Sequence, residues 1–143
     1  MVIDNVLLDK LTAQAKESPR LRMNLDLRNS DAESSQRMLN AIEPGSVVPV
    51  HRHRSTSETV VVLRGRVVEE YYSSEGVVEA EFELAAGGPV CALNIPAGQW
   101  HTLRALESGT VILEMKDGAY EPIQECDVLK WGIVGQVGNY RVL

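Results

Sequence analysis

The chain has 143 residues, 20 acidic against 14 basic, and a net charge of −6. That length makes one ordinary domain, and the acidic balance excludes the basic footprint that nucleic acid or an anionic membrane needs. No stretch approaches the ~20 apolar residues that span a bilayer, and Met1-Val2-Ile3-Asp4-Asn5 lacks the positive region of a secretory signal, so a cytoplasmic location is expected.

The first predicted element is an amphipathic helix from Asp4 to about Glu17. Ile3, Leu7, Leu11 and Ala15 recur every four residues, with Leu8 beside them, while Asp9, Lys10, Gln14 and Lys16 fall on the other side. Asp4 suits the N-cap, and Ser18-Pro19 stops the helix because the residue before proline resists helical geometry.

After Arg20 the pattern becomes short strands divided by Gly/Pro turns. The predicted strands cover 22–27, 36–42, 47–50, 59–63, 66–72, 77–84, 90–95, 102–106 and 111–116. Between them stand turns such as Glu43-Pro44-Gly45, Gly87-Gly88-Pro89 and Pro96-Ala97-Gly98. Such a series makes an antiparallel sandwich or barrel, and no βαβ unit is present. Cys91 and Cys126 form no C-x-x-C pair and are expected as reduced thiols, Cys91 buried within Val90-Cys91-Ala92-Leu93. From Gly118 the chain is glycine-rich with scattered aromatics (Tyr120, Trp131, Tyr140) and is expected to pack on the barrel or on a partner.

The chemistry lies in the histidines, of which there are three. In His51-Arg52-His53 the two imidazoles share one face of an extended segment, ~7 Å apart along the chain. Glu58 follows a polar turn, and a strand 59–63 paired beside His51–His53 would return its carboxylate to the same patch. His101 comes just after Pro96-Ala97-Gly98. A lone histidine is ordinarily a surface or core residue, but here every histidine sits where one shared site can be built. Three imidazoles and one carboxylate suit one divalent transition-metal ion per chain (Fe, Mn, Ni, Cu or Zn), whereas Ca and Mg prefer oxygen cages. They leave such an ion with a net charge near +1 and, at six-coordination, two positions for ligands.

The spacing from Gly45 through His51, His53 and Glu58 to Gly65 resembles the first cupin motif at every signature position. Pro96-Ala97-Gly98-Gln99-Trp100-His101 resembles the centre of the second, with Val90 in place of its leading glycine and Ala105 in place of its trailing asparagine. The chain as a whole resembles the WbuC-type cupin-fold metalloproteins. That likeness rests on Ser18-Pro19-Arg20-Leu21-Arg22, Gln36-Arg37-Met38-Leu39-Asn40-Ala41, the two motifs, and Leu113-Glu114-Met115-Lys116-Asp117-Gly118. It implies a mainly β fold: a single jelly-roll cupin barrel over 21–118, a helix and connector over 1–20, and a tail over 119–143. It also implies metal near the wide mouth, frequent dimers and a link to surface-polysaccharide gene clusters. Cupins host many chemistries, so the fold names no substrate.

Strand alternation places Val60 and Val62 on the face of Glu58, and Leu103 on that of His101, which predicts a largely apolar pocket. Asn40 is the predicted polar pocket residue, with Arg37 opposed to it and turned to solvent. Arg52 and Arg54 are expected at the surface, Trp100 against the opposite layer, and Arg64 within reach of the barrel rim. Two functions stay open: a metalloenzyme acting on a sugar-derived or keto/hydroxy-acid metabolite, and a metal-dependent binding or sensing module without turnover. A metal-free epimerase-like site is a third reading. Apolar surface on the helix and tail, with open sheet edges, predicts a homodimer.

Overall fold

A computed structural model describes residues 1–130; Trp131 and Tyr140 lie outside them. Helix α1 spans Asn5–Glu17, and the Asp4 carboxylate caps it by accepting from the Leu7 backbone N–H at 3.0 Å. Leu8, Leu11, Thr12 and Ala15 are buried. Ile3 precedes the cap and is exposed, so the apolar stripe is shorter at its start than the periodicity implies.

Eight strands follow: β1 (Arg22–Asp26), β2 (Ser35–Ile42), β3 (Glu58–Arg64), β4 (Arg66–Tyr72), β5 (Val78–Ala85), β6 (Ala92–Ile95), β7 (Trp100–Ala105) and β8 (Thr110–Asp117). They form two antiparallel sheets, β1-β2-β8-β3-β6 and β5-β4-β7. Apolar side chains between the sheets, including Ile42, Val62, Val67, Leu84, Ile95, Leu103 and Ile112, make one core. A second core lies outside the larger sheet, where α1 packs Leu8, Leu11 and Ala15 on Leu39, Ala41 and Val111. The architecture is mainly β, a cupin-like sandwich with one N-terminal helix. No helix among the described residues is long and apolar enough to cross a membrane.

Two local expectations are corrected. The stretch 47–50 is not a strand: Pro49 has no N–H to donate, and regular pairing is confined to isolated bridges at His51. Cys91 is exposed, because β6 is an edge strand and the residues before Leu93 face outward. Cys126 is likewise a free thiol.

The turn between β3 and β4 explains one motif glycine. Gly65 has φ +78, and a Cβ there would lie 2.3 Å from Thr110 Oγ1 and 2.9 Å from its Cα. Only glycine fits so close to a neighbouring backbone. Arg64, expected near the rim, turns the other way: it donates to Gly109 O and Thr12 Oγ1 and pairs with Asp9, tying α1 to the sheet.

Candidate metal centre

The two motifs meet through the backbone. His51 N–H donates to His101 O at 3.0 Å, and His101 N–H returns to His51 O at 2.8 Å. Gly98, at the turn before β7, donates to His53 O at 2.7 Å. The histidine pair of the first motif therefore lies beside β7. The expected pairing with β3 does not occur, since β3 lies between β8 and β6. Glu58 reaches the histidines from the facing sheet, as the first inward residue of β3.

The result is a compact cluster. One ligand atom each from His51, His53, Glu58 and His101 lies within 4.8 Å of the others. Ring centroids are 4.5 Å apart for His51 and His101, and 5.2 Å for His51 and His53. Glu58 and His101 are buried, the other two half-buried.

The ring nitrogens are sorted by their neighbours. His51 Nδ1 is 2.9 Å from Pro49 O, and His101 Nδ1 is 2.9 Å from Gln99 O. A carbonyl can only accept, so each Nδ1 carries the hydrogen and each Nε2 presents its lone pair. This is how metal-binding histidines are oriented. Burial first, and then the adjacent His101, push the His51 imidazole down to about 4, which keeps it neutral and able to ligate at pH 7. Burial alone would raise Glu58, but the imidazoles of His101 and His53 outweigh it and hold the carboxyl well below the usual range. Glu58 Oε2 is buried, 2.9 Å from His53 Nε2 and 3.5 Å from His101 Nε2, yet aligned for a hydrogen bond with neither. An orphaned carboxylate oxygen among three imidazole nitrogens is a donor set that fits a divalent transition ion.

The cluster opens on a cavity of about 330 Å³ between the sheets. Asn40, Val60 and Leu103 line it; Val62 does not, and packs instead in the core. The walls are far more polar than strand alternation from the ligands suggests, because Glu69, Glu114, Lys116, Gln36 and Arg22 also line them. Asn40 Nδ2 donates to Glu114 Oε2 at 2.6 Å. Burial and Glu58 push Glu114 up to about 8, against Asn40 and Lys116. Glu69 is fully buried with both oxygens unpartnered among the described residues. Sequence reasoning missed both glutamates. One signal was present: consecutive acids in mid-strand, Glu69-Glu70, force one of them inward.

The remaining polar residues frame the site. Arg37 pairs with Glu33, away from the cavity. Arg52 lies over the Trp100 ring, 4.4 Å from its centroid, and with Arg54 holds Asp127. Those ion pairs anchor the segment after β8, whose residues Tyr120, Glu121, Pro122 and Ile123 cover part of the cavity. Tyr71 packs edge-on against Phe82 in the core. Tyr72 donates to Glu70.

A family model described as "Domain of unknown function (DUF6016)" matches residues 3–84, more than half of the chain. The chain belongs to that family. The match takes in α1, β1 to β5 and three of the clustered residues, while His101 and Glu114 lie beyond it. No curated protein matches the sequence.

Solved structures identify the fold. CapF from Staphylococcus aureus, a capsular polysaccharide assembling protein, is 18% identical over 78% of the DUF6016 chain, with a TM-score of 0.63. The chain spans only 32% of CapF. TT1209 from Thermus thermophilus is 24% identical with a TM-score of 0.59, covering 82% of this chain and 98% of that one. The Cnp3 cupin domain of Schizosaccharomyces pombe is 13% identical with a TM-score of 0.53, covering 69% of this chain and 65% of that one. These likenesses establish a cupin-superfamily fold and nothing finer.

Proposed function

We propose that this DUF6016 chain is a metal-dependent cupin that acts on a small oxygen-rich metabolite, sugar-derived or of the keto/hydroxy-acid class. The convergence of three imidazoles and an orphaned carboxylate oxygen within 4.8 Å carries the reading. His51, His53, Glu58 and His101 would hold the ion. A divalent metal bound there would supply a Lewis acid that polarises and orients ligand oxygens. The protein's own contribution is to fix each Nε2 through the carbonyls of Pro49 and Gln99 and to surround the ion with a small, walled cavity. Glu69 and Glu114 stand in that cavity as groups able to hold or move a proton. Their presence favours catalysis over a purely binding module.

Two finer statements rest on resemblance. Membership of the WbuC type is supported by the residue runs given above. A role in surface-polysaccharide metabolism is supported by the same likeness and by the description of CapF. We further propose a single cupin unit over residues 21–118, closed as a jelly roll, and a homodimer in which exposed Val2, Ile3 and Val6 near α1 find cover. Light scattering that returns a strict monomer at high concentration rejects the dimer.

Elemental analysis of tag-free protein tests the metal. About one equivalent of Fe, Mn, Ni or Zn per chain is expected in the wild type, and less than about a third of an equivalent in His101→Ala with the fold intact. Wild-type protein that takes up none of these metals on reconstitution overturns the reading. Turnover of a sugar or keto-acid substrate that His101→Ala abolishes separates the enzyme from the binding module.

A further inference from the structure

Glu69 is the most anomalous group in the molecule. It is fully buried on β4, and neither carboxyl oxygen has a partner among the described residues. In register it faces Leu103 on β7 and Phe82 on β5, while Tyr71, two residues along, faces His101. Glu69 thus stands one inward step past the His101 row, on the wall of the shared cavity. Buried polar groups are paired with few exceptions, and the exceptions concentrate at functional positions.

Its surroundings set its state. Burial comes first, and Glu58, Glu114 and Glu70 add like charge, so the carboxyl is driven well above its usual range. A neutral carboxyl has an O–H donor that needs an acceptor oxygen. On the opposite sheet Lys116 lies beside Glu58 in register, lines the same cavity, and makes no ion pair among the described residues. With Lys116 and Arg22 against Glu121 on its walls and a divalent ion held by Glu58, the cavity favours an anionic ligand.

We propose that the cavity binds a small hydroxy or keto acid, one oxygen of which accepts a hydrogen bond from Glu69 while its carboxylate pairs with Lys116. This deepens the metal reading and rests on it. It selects acids over neutral sugars, because Glu58, the cross-strand neighbour of Lys116, is committed to the ion and only an acid brings Lys116 a further carboxylate. Depth and charge are divided between the sheets, Glu69 on β4 and Lys116 on β8.

The test is calorimetry on the zinc-loaded full chain with L-malate, 2-oxoglutarate and D-gluconate, and with D-glucose as the neutral control. At least one acid binds and glucose does not. Glu69→Leu weakens that acid about tenfold or more, whereas Glu69→Gln, which keeps an N–H donor, stays within about threefold. Lys116→Met weakens it about tenfold. Infrared difference spectra at neutral pH, wild type minus Glu69→Gln, show a protonated-carboxyl stretch beside the one that Glu114 retains, a readout that needs no ligand. Zinc-replete wild type that binds no acid, binding unmoved in Glu69→Leu, or no carboxyl stretch lost in Glu69→Gln overturns the proposal. Zinc content on the same samples separates the failures: protein that holds no zinc brings down the metal reading itself.

Discussion

On β2 and β8 the odd-numbered and even-numbered side chains meet different surroundings. The odd set, Leu39 opposite Leu113 and Ala41 opposite Val111, faces α1. Under α1 it is apolar, with Leu39, Ala41 and Val111 fully buried, and it gives way to Arg37 and Ser35, opposite Met115 and Asp117, only past that cluster. The even set begins the same way, with Ile42 and Ile112 in the inter-sheet core, and then changes to Asn40, Glu114, Gln36 and Lys116 along the cavity. The same two strands thus carry a face that follows the rules of a core and a face that breaks them progressively toward the candidate metal centre. Stability resides in the first face, and the chemistry is placed on the second at the expense of stability.

The comparison breaks most visibly at Leu39. Leu39→Ala opens a cavity under α1 and lowers stability by about 2–5 kcal/mol, read as a fall in the urea midpoint. Metal content of the folded protein stays at the wild-type level, because nothing on the helix face touches the cluster. A mutant that loses metal in proportion to its stability shows that the two faces are not independent. The opposite sign is expected across the sandwich. Glu69→Leu removes an unpartnered buried carboxyl and raises stability by about 1–3 kcal/mol in the same assay. A destabilised Glu69→Leu means that Glu69 has a partner in solution and is not an orphan.

The sequence makes the first face and the cluster legible for the same reason. Both are short-range patterns. Helical periodicity is set within a few residues, and so is each motif, from His51 to Gly65 and from Pro96 to His101, while their meeting in one site is what the resemblance to the cupin motifs implies. The convergence of four side chains could therefore be read without knowing the sheet order. The second face could not. Whether Glu69 or Glu70 points inward depends on the pairing of β4 with β7, and the pocket becomes polar only once β2 and β8 are registered so that Asn40 meets Glu114. Those are contacts between residues tens of positions apart. For the same reason His51 lies beside β7, Arg64 turns to the helix, and the apolar run at Cys91 sits on an edge.

The finest contrast between the two faces is in their response to pH. Glu114 sits near 8 when folded, against about 4.3 in an unfolded chain, so the folded state keeps a proton that the unfolded state releases. The sign follows from that difference. Below the unfolded value both states are protonated and Glu114 contributes no slope; between the two values stability falls as pH rises, by up to about 1.4 kcal/mol per pH unit. His51 acts in the opposite sense and lower down, because its folded value near 4 lies below the unfolded one near 6.5. The window from about 6.5 to 8 therefore lies above His51 and leaves the two raised carboxyls, Glu114 and Glu69, whose contributions the Glu114→Gln comparison separates. Urea midpoints of metal-free protein across that window should fall for the wild type and fall less steeply for Glu114→Gln, in which Asn40 retains an amide oxygen to donate to. Metal-free protein is needed because ligation carries its own proton release. Leu39→Ala, inside an apolar cluster, should lower the whole curve and leave its slope unchanged. Equal slopes in wild type and Glu114→Gln place Glu114 in contact with solvent and remove the electrostatic difference between the two faces.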